Sequence, residues 1–401
     1  MSQKRVIIWG AGRIGRGFAA DLFFSAGYRI TFIDVSRDLI EQLKRAGQYT
    51  IVRAESAAKR DDLIVHDYDA LAVTEVDAVS RAVADTDLMV LAVFPRDFGA
   101  VVEQLTPGLR QRRVQQPEAA LDIILCTNLA HAAVKFRARL NEVLPPDLRD
   151  YAEQRIGVVE SLVTRMVADP PAAEREREPL LVWTNGNAEF PVDGHAFRGQ
   201  PPQVRGLRLV EDMRAEEMRK LYTYNTCHAA LAYLGALRGH DLIVDCLADP
   251  TVRSQVEGVL REAVLALQAE YGFDAGEMAA WIARVIRETD NPTLGDRVSR
   301  HGADPVRKLR RSDRLIGPLL MARKHGIPAP NLTRATAAAF LFQNPCDPGA
   351  VAVQERVRQS GIESAVRELC ELADAEADLV AAIVAAYHHL RTKDVVGDHQ
   401  E

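Results

Sequence analysis

Apolar residues occur in short, continuous runs through the first part of this 401-residue chain. Turn-forming residues end the runs, and most runs are followed by a stretch with helical spacing of apolar positions. Such runs are typical of parallel strands that are buried on both faces. They are RVIIW (5–9), RITFID (29–34), DLMVLAVF (87–94), LDIILCTN (121–128) and RIGVVES (155–161). The N-terminal part is therefore predicted to be an α/β domain with an open, doubly wound sheet.

From about residue 212 the apolar residues recur at spacings of three and four, which is typical of amphipathic helices. Strand-like alternation almost disappears there, so a mainly α-helical C-terminal domain is predicted. The predicted helical segments are 212–237, 250–271, 275–288, 312–325, 332–342, 349–371 and 374–391.

The domain boundary is predicted in the stretch 191–206, which is rich in Gly and Pro. This gives an N-terminal domain at 1–200, a C-terminal domain at 201–392 and a frayed tail at 393–401. Two polar stretches of the N-terminal domain are interpreted as solvated loops, and they cover 109–120 and 168–180.

Composition and charge narrow the class of partner. A net charge of -6 gives no long-range attraction for nucleic acid or anionic lipid, although a local basic patch is compatible with it. We expect a small-molecule substrate, and the oligomeric state, a monomer or small homo-oligomer, does not follow from the sequence. The N-terminus lacks the build of a signal peptide, and no apolar stretch approaches the ~20 residues that cross a bilayer. The cysteines are scattered, which favours free thiols in a soluble, cytoplasmic protein. They are Cys126, Cys227, Cys246, Cys346 and Cys370.

A glycine-rich turn follows the first predicted strand and precedes a helix. Gly10 suits the tight turn, Gly12 allows close approach of the backbone to a pyrophosphate, and Gly15 allows close packing of helix and strand. The intervening Arg13 and Ile14 stand at the start of the helix, where free backbone N–H groups favour the binding of phosphate. The context predicts a Rossmann-like dinucleotide site. The alternatives are a glycine turn that binds nothing and a site for another adenine ligand, such as a methyltransferase cofactor.

Residues at the ends of later strands are further candidates for the cofactor site. Asp34 ends the second strand, 19 residues after Gly15, where a carboxylate can accept hydrogen bonds from the ribose hydroxyls and repel a 2′-phosphate. This favours NAD over NADP, although the neighbouring Arg37 favours the opposite. Pro95 and Asn128 follow two other strands and are predicted to lie near the nicotinamide.

The stretch KLYTYNTCH (220–228) carries a second candidate site. On an ideal helix, Glu217, Lys220, Asn225 and His228 fall within an arc of about 140° over three turns. Such a surface can present an amine, an amide and an imidazole to one ligand. The shorter pattern N-x-x-H also occurs at Asn128 and His131, so it carries little information by itself. Periodicity alone leaves a solvated helix face as an equal alternative.

Five sequence blocks resemble the polyol-specific long-chain dehydrogenase family, in the family's order and approximate spacing. Within that family they are most similar to the members that act on mannitol 1-phosphate. The resemblance implies an NAD-dependent oxidoreductase that interconverts a sugar alcohol phosphate and a ketose phosphate without a metal ion. The blocks are GAGRIGRGF (10–18), KLYTYNTCHAALAYLG (220–235), EYGFDA (270–275), NPTLGDRV (291–298) and DPVRKLRRSDRLIGPLL (304–320).

The resemblance also assigns roles to residues. Lys220 would be the general base, for which the pKa of its amine must fall from ~10.4 toward neutrality. Asn225 and Asn128 would donate to the developing oxyanion, where one donor can contribute ~3 kcal/mol. His228 would hold a neighbouring hydroxyl, and Glu217 would help to move the proton to solvent.

The chain departs from the family at one position and leaves the substrate open. Thr164 stands where the family has Asp, whereas Arg165 matches as a substrate residue. The segment 297–314 carries seven Lys or Arg and two Asp, which predicts either a solvated basic face or an anion pocket. Its candidates for binding a phosphate are Arg307, Lys308, Arg310 and Arg314. Alternatives are a hexuronate reductase, an unphosphorylated-polyol dehydrogenase and a catalytically silent NAD sensor.

Overall fold

The computed structural model describes residues 4–56, 59–127, 129 and 131–397. The chain forms two compact units, Met1–Glu217 (unit 1) and Met218–Glu401 (unit 2). The predicted division between 200 and 201 lies earlier in the chain than the division between these units. Among the described residues, no helix has the combined length and apolar character that a membrane span requires.

Within the described part of the chain, the strands lie in unit 1, together with the first eight α-helices, the last of which continues into unit 2. The strands are β1 Arg5–Trp9, β2 Arg29–Asp34, β3 Gln48–Ser56, β4 Lys59–His66, β5 Asp69–Ala72, β6 Leu88–Leu91, β7 Leu121–Leu125, β8 Ile156–Glu160, β9 Val167–Ala168, β10 Val182–Thr184, β11 Phe190–Asp193 and β12 Leu207–Val210. The helices are α1 Ala20–Ser25, α2 Arg37–Ala46, α3 Val76–Asp85, α4 Phe98–Gln115, α5 Ala132–Val143, α6 Pro146–Arg155, α7 Ala172–Arg177 and α8 Met213–Lys220.

The main sheet has six parallel strands in the order β5-β2-β1-β6-β7-β8. Alternate residues of β1 enter two separate cores: Val6 and Ile8 pack on one face, and Ile7 and Trp9 on the other. Burial on both faces explains the continuous apolar runs of the sequence. The prediction of a doubly wound, Rossmann-like sheet is confirmed. The strand order reverses between β1 and β6, which is where such sheets place their ligands.

A second sheet, with the order β4-β3-β10-β9, was not predicted from the sequence. Strands β3 and β4 form an antiparallel pair, and a two-stranded sheet of β11 and β12 completes unit 1. Most residues of β4 are exposed, and its sequence KRDDLIVH begins with four charged residues. The apolar pattern is therefore too weak in β4 to predict a strand, because backbone pairing with β3 rather than burial holds it.

The interpretation of 109–120 as a solvated loop was wrong over most of its length. Helix α4 continues to Gln115, and the Arg112 side chain on it is fully buried. Its guanidinium donates to the carbonyl oxygens of Ala84 at 3.0 Å and Thr86 at 2.6 Å and pairs with Asp87 at 2.6 Å. A buried charge is tolerated where hydrogen bonds and a counter-ion satisfy it, and sequence spacing does not reveal such partners.

Unit 2 is helical, as predicted. Its helices follow the end of α8 and enclose a large apolar core, with a smaller cluster around Tyr222, Leu267 and Met278. They are α9 Thr226–Ala236, α10 Ile243–Ala248, α11 Pro250–Tyr271, α12 Ala275–Thr289, α13 Val298–Gly302, α14 Pro305–Lys308, α15 Ile316–Lys324, α16 Pro330–Ala339, α17 Pro348–Leu369 and α18 Ala377–Gly397. The segment 398–401 of the predicted tail lies outside the described residues.

Candidate active site

The glycine turn of unit 1 accepts only glycine at two positions, at one because of its backbone conformation and at both because other backbone atoms lie too close. Gly10 has φ +98°, and a Cβ there would lie 2.3 Å from Ala92 O. A Cβ on Gly15 would lie 1.9 Å from Gly10 O. A Cβ on Gly12, by contrast, would meet no protein atom within 4 Å. Gly10 and Gly15 are therefore required by the fold, whereas the backbone at Gly12 faces open space, as a site for a pyrophosphate requires.

The helix after the turn begins with a π-helical turn, Gly15–Ala19, which leads into α1. Its N-terminal side chains differ in their surroundings: Arg13 is exposed and pairs with Asp169 at 2.6 Å, and Ile14 packs against the apolar core. The sequence did not single out Arg16, whose buried guanidinium donates to Ala11 O at 2.8 Å. Arg16 therefore fixes the turn from the inside, and burial lowers the pKa of its guanidinium.

Asp34 connects the end of β2 to the glycine turn. Its Oδ2 accepts from the Ala11 N–H at 2.7 Å, and its Oδ1 accepts from the Ser36 N–H at 2.8 Å. Each carboxylate oxygen retains a second lone pair, so these bonds orient Asp34 without blocking contact with a ribose. Arg37 is exposed in the first turn of α2. The glycine turn, the helix N-terminus and Asp34 together fit a dinucleotide.

Two exposed apolar side chains lie just beyond strand ends and were missed in the sequence. Val35, which follows β2, is 71% exposed, and Phe94, which follows β6, is 66% exposed. The guanidinium of Arg96 lies 4.9 Å from the centre of the Phe94 ring. Pro95 begins the 3₁₀ turn that leads into α4. Asn128, which was predicted at this edge together with Pro95, lies outside the described residues.

Arg165 has an internal set of contacts in unit 1. Its guanidinium pairs with Asp21 and donates to Gly17 O at 2.7 Å and Asn187 O at 2.6 Å. The hydroxyl of the adjacent Thr164 donates to Glu189 O at 2.7 Å. These contacts account for Arg165 without a substrate, and they show how a neutral Thr164 is accommodated.

Two carboxyl groups meet at the N-terminus of α5. Glu160 ends β8 and accepts from the Ala132 N–H at 2.6 Å, while Glu217 accepts from the His131 N–H and hydrogen-bonds to Glu160. Burial, followed by the neighbouring Glu160, raises the pKa of Glu217 to about 7. Burial also raises the pKa of Glu160. One proton is therefore shared between two carboxyl groups near neutral pH. The sequence predicted Glu217 but not its partner.

In unit 2, a π-helical turn changes the geometry of the Lys220 motif. The helix runs from α8 through the π-helical turn Leu221–Asn225 into α9. The calculation on an ideal helix missed this turn. Because an i→i+5 turn brings residues five apart into line, it aligns Lys220 and Asn225 more closely than the predicted arc. Both side chains are half-buried. Such π-turns inside helices frequently occur at functional sites.

His228 lies one turn further along α9 and is buried, at 9% exposure. Its Nε2 is 3.4 Å from Thr289 Oγ1, and that hydroxyl donates to Val285 O at 2.7 Å. Because the hydroxyl hydrogen is committed, we assign the hydrogen of this contact to Nε2, which leaves a lone pair on Nδ1. Burial, followed by the neighbouring His301, lowers the pKa of His228 to about 3, so the ring is neutral.

The basic segment 297–314 is mostly neutralised within unit 2. Arg307 pairs with Asp304 at 2.9 Å, and Arg310 is exposed. Lys308 is buried and donates to the carbonyl oxygens of His301 and Ala303, and burial lowers the pKa of its amine to about 7.

Arg314 differs from the other candidates of this segment because it lies beside the motif helix. Its backbone oxygen accepts from Thr226 Oγ1 at 2.7 Å, and its guanidinium pairs with Asp313 at 2.7 Å. Arg314 also helps to lower the pKa of His228, after burial, His301 and Arg300. Of the four predicted anion-binding residues, Arg314 is therefore the one with both a side-chain charge and a contact at the motif.

A further group of donors surrounds His228. One ligand atom each from His228, Asp296 and His301 can be chosen so that all lie within 4.8 Å of one another. This group was not predicted, because His228 is 68 positions before Asp296 and 73 positions before His301 along the chain.

Comparison with protein families covers nearly the whole chain. Residues 4–206 match the mannitol dehydrogenase Rossmann domain, and residues 212–396 match the mannitol dehydrogenase C-terminal domain. The two matches meet between 206 and 212.

Solved structures agree with this assignment at the level of the fold. Pseudomonas fluorescens mannitol 2-dehydrogenase, in a ternary complex with NAD and D-mannitol, is 16% identical with a TM-score of 0.74, and the match covers 98% of this chain and 93% of that one. A substrate-free D-sorbitol dehydrogenase is 15% identical with a TM-score of 0.84, with coverage of 97% and 93%. The two matched domains, taken in order along one chain, place this protein in the mannitol dehydrogenase family.

Proposed function

We propose that this chain is an NAD-dependent oxidoreductase that interconverts a sugar alcohol phosphate and a ketose phosphate, of the mannitol 1-phosphate and fructose 6-phosphate type. The observation that carries the proposal is the single helix of unit 2 on which Lys220, Asn225 and His228 stand around a π-turn. The matched family and the open glycine turn of unit 1 support it.

In this proposal unit 1 binds the dinucleotide. Gly12, with Arg13 and Ile14 at the start of the helix, would meet the pyrophosphate, and Asp34 would accept from the ribose hydroxyls. NAD, when bound, supplies the hydride acceptor. The exposed Val35 and Phe94 offer apolar surface to its rings, and Pro95 shapes the loop beside them. The P. fluorescens relative, whose complex contains NAD, supports the choice of cofactor.

Unit 2 would supply the groups that act on the alcohol. Lys220 takes the hydroxyl proton as general base, and Asn225 donates to the oxygen as negative charge develops on it. Asn128 keeps its proposed role as a second donor. The unprotonated Nδ1 of His228 accepts a hydrogen bond from a neighbouring hydroxyl of the polyol, which fixes the substrate relative to Lys220.

Glu217 would pass the proton from Lys220 toward solvent. It stands three residues before Lys220 on α8, so the two side chains lie on the same side of the helix. A carboxyl group with a pKa of about 7 exchanges protons readily at neutral pH. Glu160 shares that proton, and, in addition to burial, its negative charge raises the pKa of Glu217.

The phosphate is the part of the proposal that the relatives do not support, because the P. fluorescens enzyme complex contains unphosphorylated D-mannitol. Arg314, beside the motif helix, favours an anionic substrate. Its pairing with Asp313 provides the opposing argument, since a paired arginine attracts a phosphate less strongly. An unphosphorylated polyol is therefore the runner-up, and a hexuronate would use the same arginine for its carboxylate.

The test is a comparison of substrates on the full-length protein. Oxidation of mannitol 1-phosphate and mannitol would be followed by NADH absorbance, and reduction of fructose 6-phosphate and fructuronate by NADH consumption. The proposal expects the highest kcat/KM for the phosphate pair. It also expects Arg314→Met to raise KM for the phosphorylated substrate more than for mannitol. Faster turnover of mannitol than of mannitol 1-phosphate would replace the proposal by the runner-up.

A catalytically silent NAD sensor gives a different pattern. Such a protein would bind NADH, as measured by its fluorescence, but consume none of it with any ketose of the panel. Binding of a methyl donor without binding of NADH would instead indicate a methyltransferase.

A further inference from the structure

Two histidines and an aspartate, residue types that can bind a metal ion, lie close together in unit 2, and only His228 among them has a role in the proposed reaction. His228 comes from α9, Asp296 precedes α13, and His301 lies on α13. Their ligand atoms lie within 4.8 Å of one another, and His301 Nε2 is 3.3 Å from Asp296 Oδ1. In tetrahedral zinc sites, with bonds of about 2.1 Å, ligand atoms are about 3.4 Å apart. One pair is thus already at the required separation.

We propose that His228, Asp296 and His301 bind a divalent transition-metal ion of the Zn²⁺ type, and that the bound ion inhibits the enzyme by withholding His228 from the polyol. Two imidazoles and one carboxylate form a ligand set that first-row transition metals prefer. The inhibitory part rests on the proposed function, whereas the binding part does not.

The surroundings of the two histidines suit ligation. His301 Nε2 is buried and lies beside its ion-pair partner, Asp296 Oδ1. Thr289 Oγ1 holds one ring nitrogen of His228, as an outer acceptor commonly does for a metal-bound histidine. The other nitrogen is left with its lone pair.

Two features oppose binding and define what the ion must displace. The imidazoles of His228 and His301 are stacked, with ring centres 4.4 Å apart and planes at 18°, so one ring must turn before both nitrogens face the same point. Arg300, which is 59% exposed, pairs with Asp296. A metal ion and Arg300 therefore compete for one carboxylate. Removing this arginine should strengthen metal binding. If the substitution only destabilised unit 2, it would weaken binding instead.

The experiment is calorimetric titration of the full-length protein with ZnCl₂. The wild-type protein is expected to bind one equivalent. His301→Ala and Asp296→Asn should weaken binding by at least about tenfold, since even outer-shell changes cost that much. Arg300→Met should strengthen it. The matched control is His240→Ala, because His240 also pairs with an aspartate, Asp249 at 3.1 Å, beside an arginine.

The outcomes separate this inference from the proposed function. No saturable binding by the wild-type protein, or an equal loss in His301→Ala and His240→Ala, overturns the metal site whatever the enzyme's substrate. If the substrate panel gives turnover, Zn²⁺ should inhibit the wild-type enzyme, and a chelator should reverse the inhibition. His301→Ala, compared with its own rate without metal, should resist inhibition. Binding without inhibition would overturn the regulatory part.

Discussion

The glycine turn of unit 1 and the Lys220 helix of unit 2 each place a short motif on a helix, but their residues are constrained differently. In the turn, close backbone atoms restrict the residue type, since a Cβ on Gly15 would lie 1.9 Å from Gly10 O. On the Lys220 helix, side chains from elsewhere in the chain set the properties of the motif residues. His228 is neutral because it is buried beside His301, which lies 73 positions further along the chain. A backbone constraint is visible in local spacing, whereas a neighbour brought in by folding is not.

The same difference separates the two acidic sites of unit 1. Asp34 follows a strand at the expected spacing, and its carboxylate accepts from a backbone N–H on each oxygen. Glu217 has its unusual proton affinity because Glu160, 57 positions earlier, meets it at the start of α5. A local motif therefore predicts where a side chain stands, but its acidity depends on which groups the fold places beside it.

The largest effect is expected on the Lys220 helix, where the proposed general base is removed. Lys220→Ala should lower kcat for alcohol oxidation by at least ~10²-fold, because it removes the proposed base. NADH affinity, measured by fluorescence titration, should stay nearly unchanged. Lys324→Ala is the control, since Lys324 is a lysine of the same unit that pairs with Glu270 at the surface. An equal loss of turnover and of cofactor binding would mean that Lys220 is structural.

The next effect separates the glycines of the turn. Gly12→Ala should weaken NADH binding by about tenfold or more and leave the melting temperature nearly unchanged, since the added methyl group meets no protein atom. Gly15→Ala should lower the melting temperature, because its Cβ would collide with backbone. Thermal unfolding and fluorescence titration measure the two quantities. If Gly12→Ala binds NADH normally, the pyrophosphate does not lie against Gly12.

A smaller effect is expected at the ribose. Asp34→Ala should reduce the preference for NAD over NADP, because the carboxylate that repels a 2′-phosphate is lost. It should also lower stability, since two backbone N–H groups lose their acceptor. Asp38→Ala, in the exposed first turn of α2, is the control. An unchanged ratio of kcat/KM for the two cofactors would remove Asp34 from the ribose site.

The smallest effect concerns the shared proton. The pKa of Glu217 is raised from 4.5 to about 7, so between these values the folded protein holds the proton more tightly than the unfolded chain. This contribution to stability is present below about pH 4.5 and is lost as the pH rises through about 7. Glu217→Gln should therefore make the free energy of unfolding fall less steeply over this range.

Denaturant titrations across that pH range provide the measurement. Glu257→Gln, which changes a surface residue paired with Arg253, should keep the slope of the wild-type protein. The proposed proton transfer adds a second readout, a change in the pH profile of kcat for Glu217→Gln. Identical slopes for Glu217→Gln and the wild-type protein would mean that Glu217 titrates normally.

Local patterns were sufficient for five strands of the main sheet and for the longest helices of unit 2. Strand β2 and helix α11 begin and end where the apolar spacing predicted, because each buries a periodic surface that the sequence itself displays. Strand β4 was not predicted, and the buried Arg112 was assigned to a solvated loop. Both depend on partners from elsewhere in the chain, one on the backbone of β3 and the other on the carbonyl oxygens of Ala84 and Thr86.

The sequence by itself determined the glycine turn, a main parallel sheet followed by a helical domain, and the family, since each depends on residue types at fixed spacings. Only the tertiary structure decided that Arg165 is held by Asp21, that Glu217 shares a proton with Glu160, and that His301 and Asp296 surround His228. The physical reason is the separation along the chain over which each interaction acts. Backbone geometry and periodic burial act between near neighbours in sequence, whereas desolvation and charge act between groups that only folding brings together.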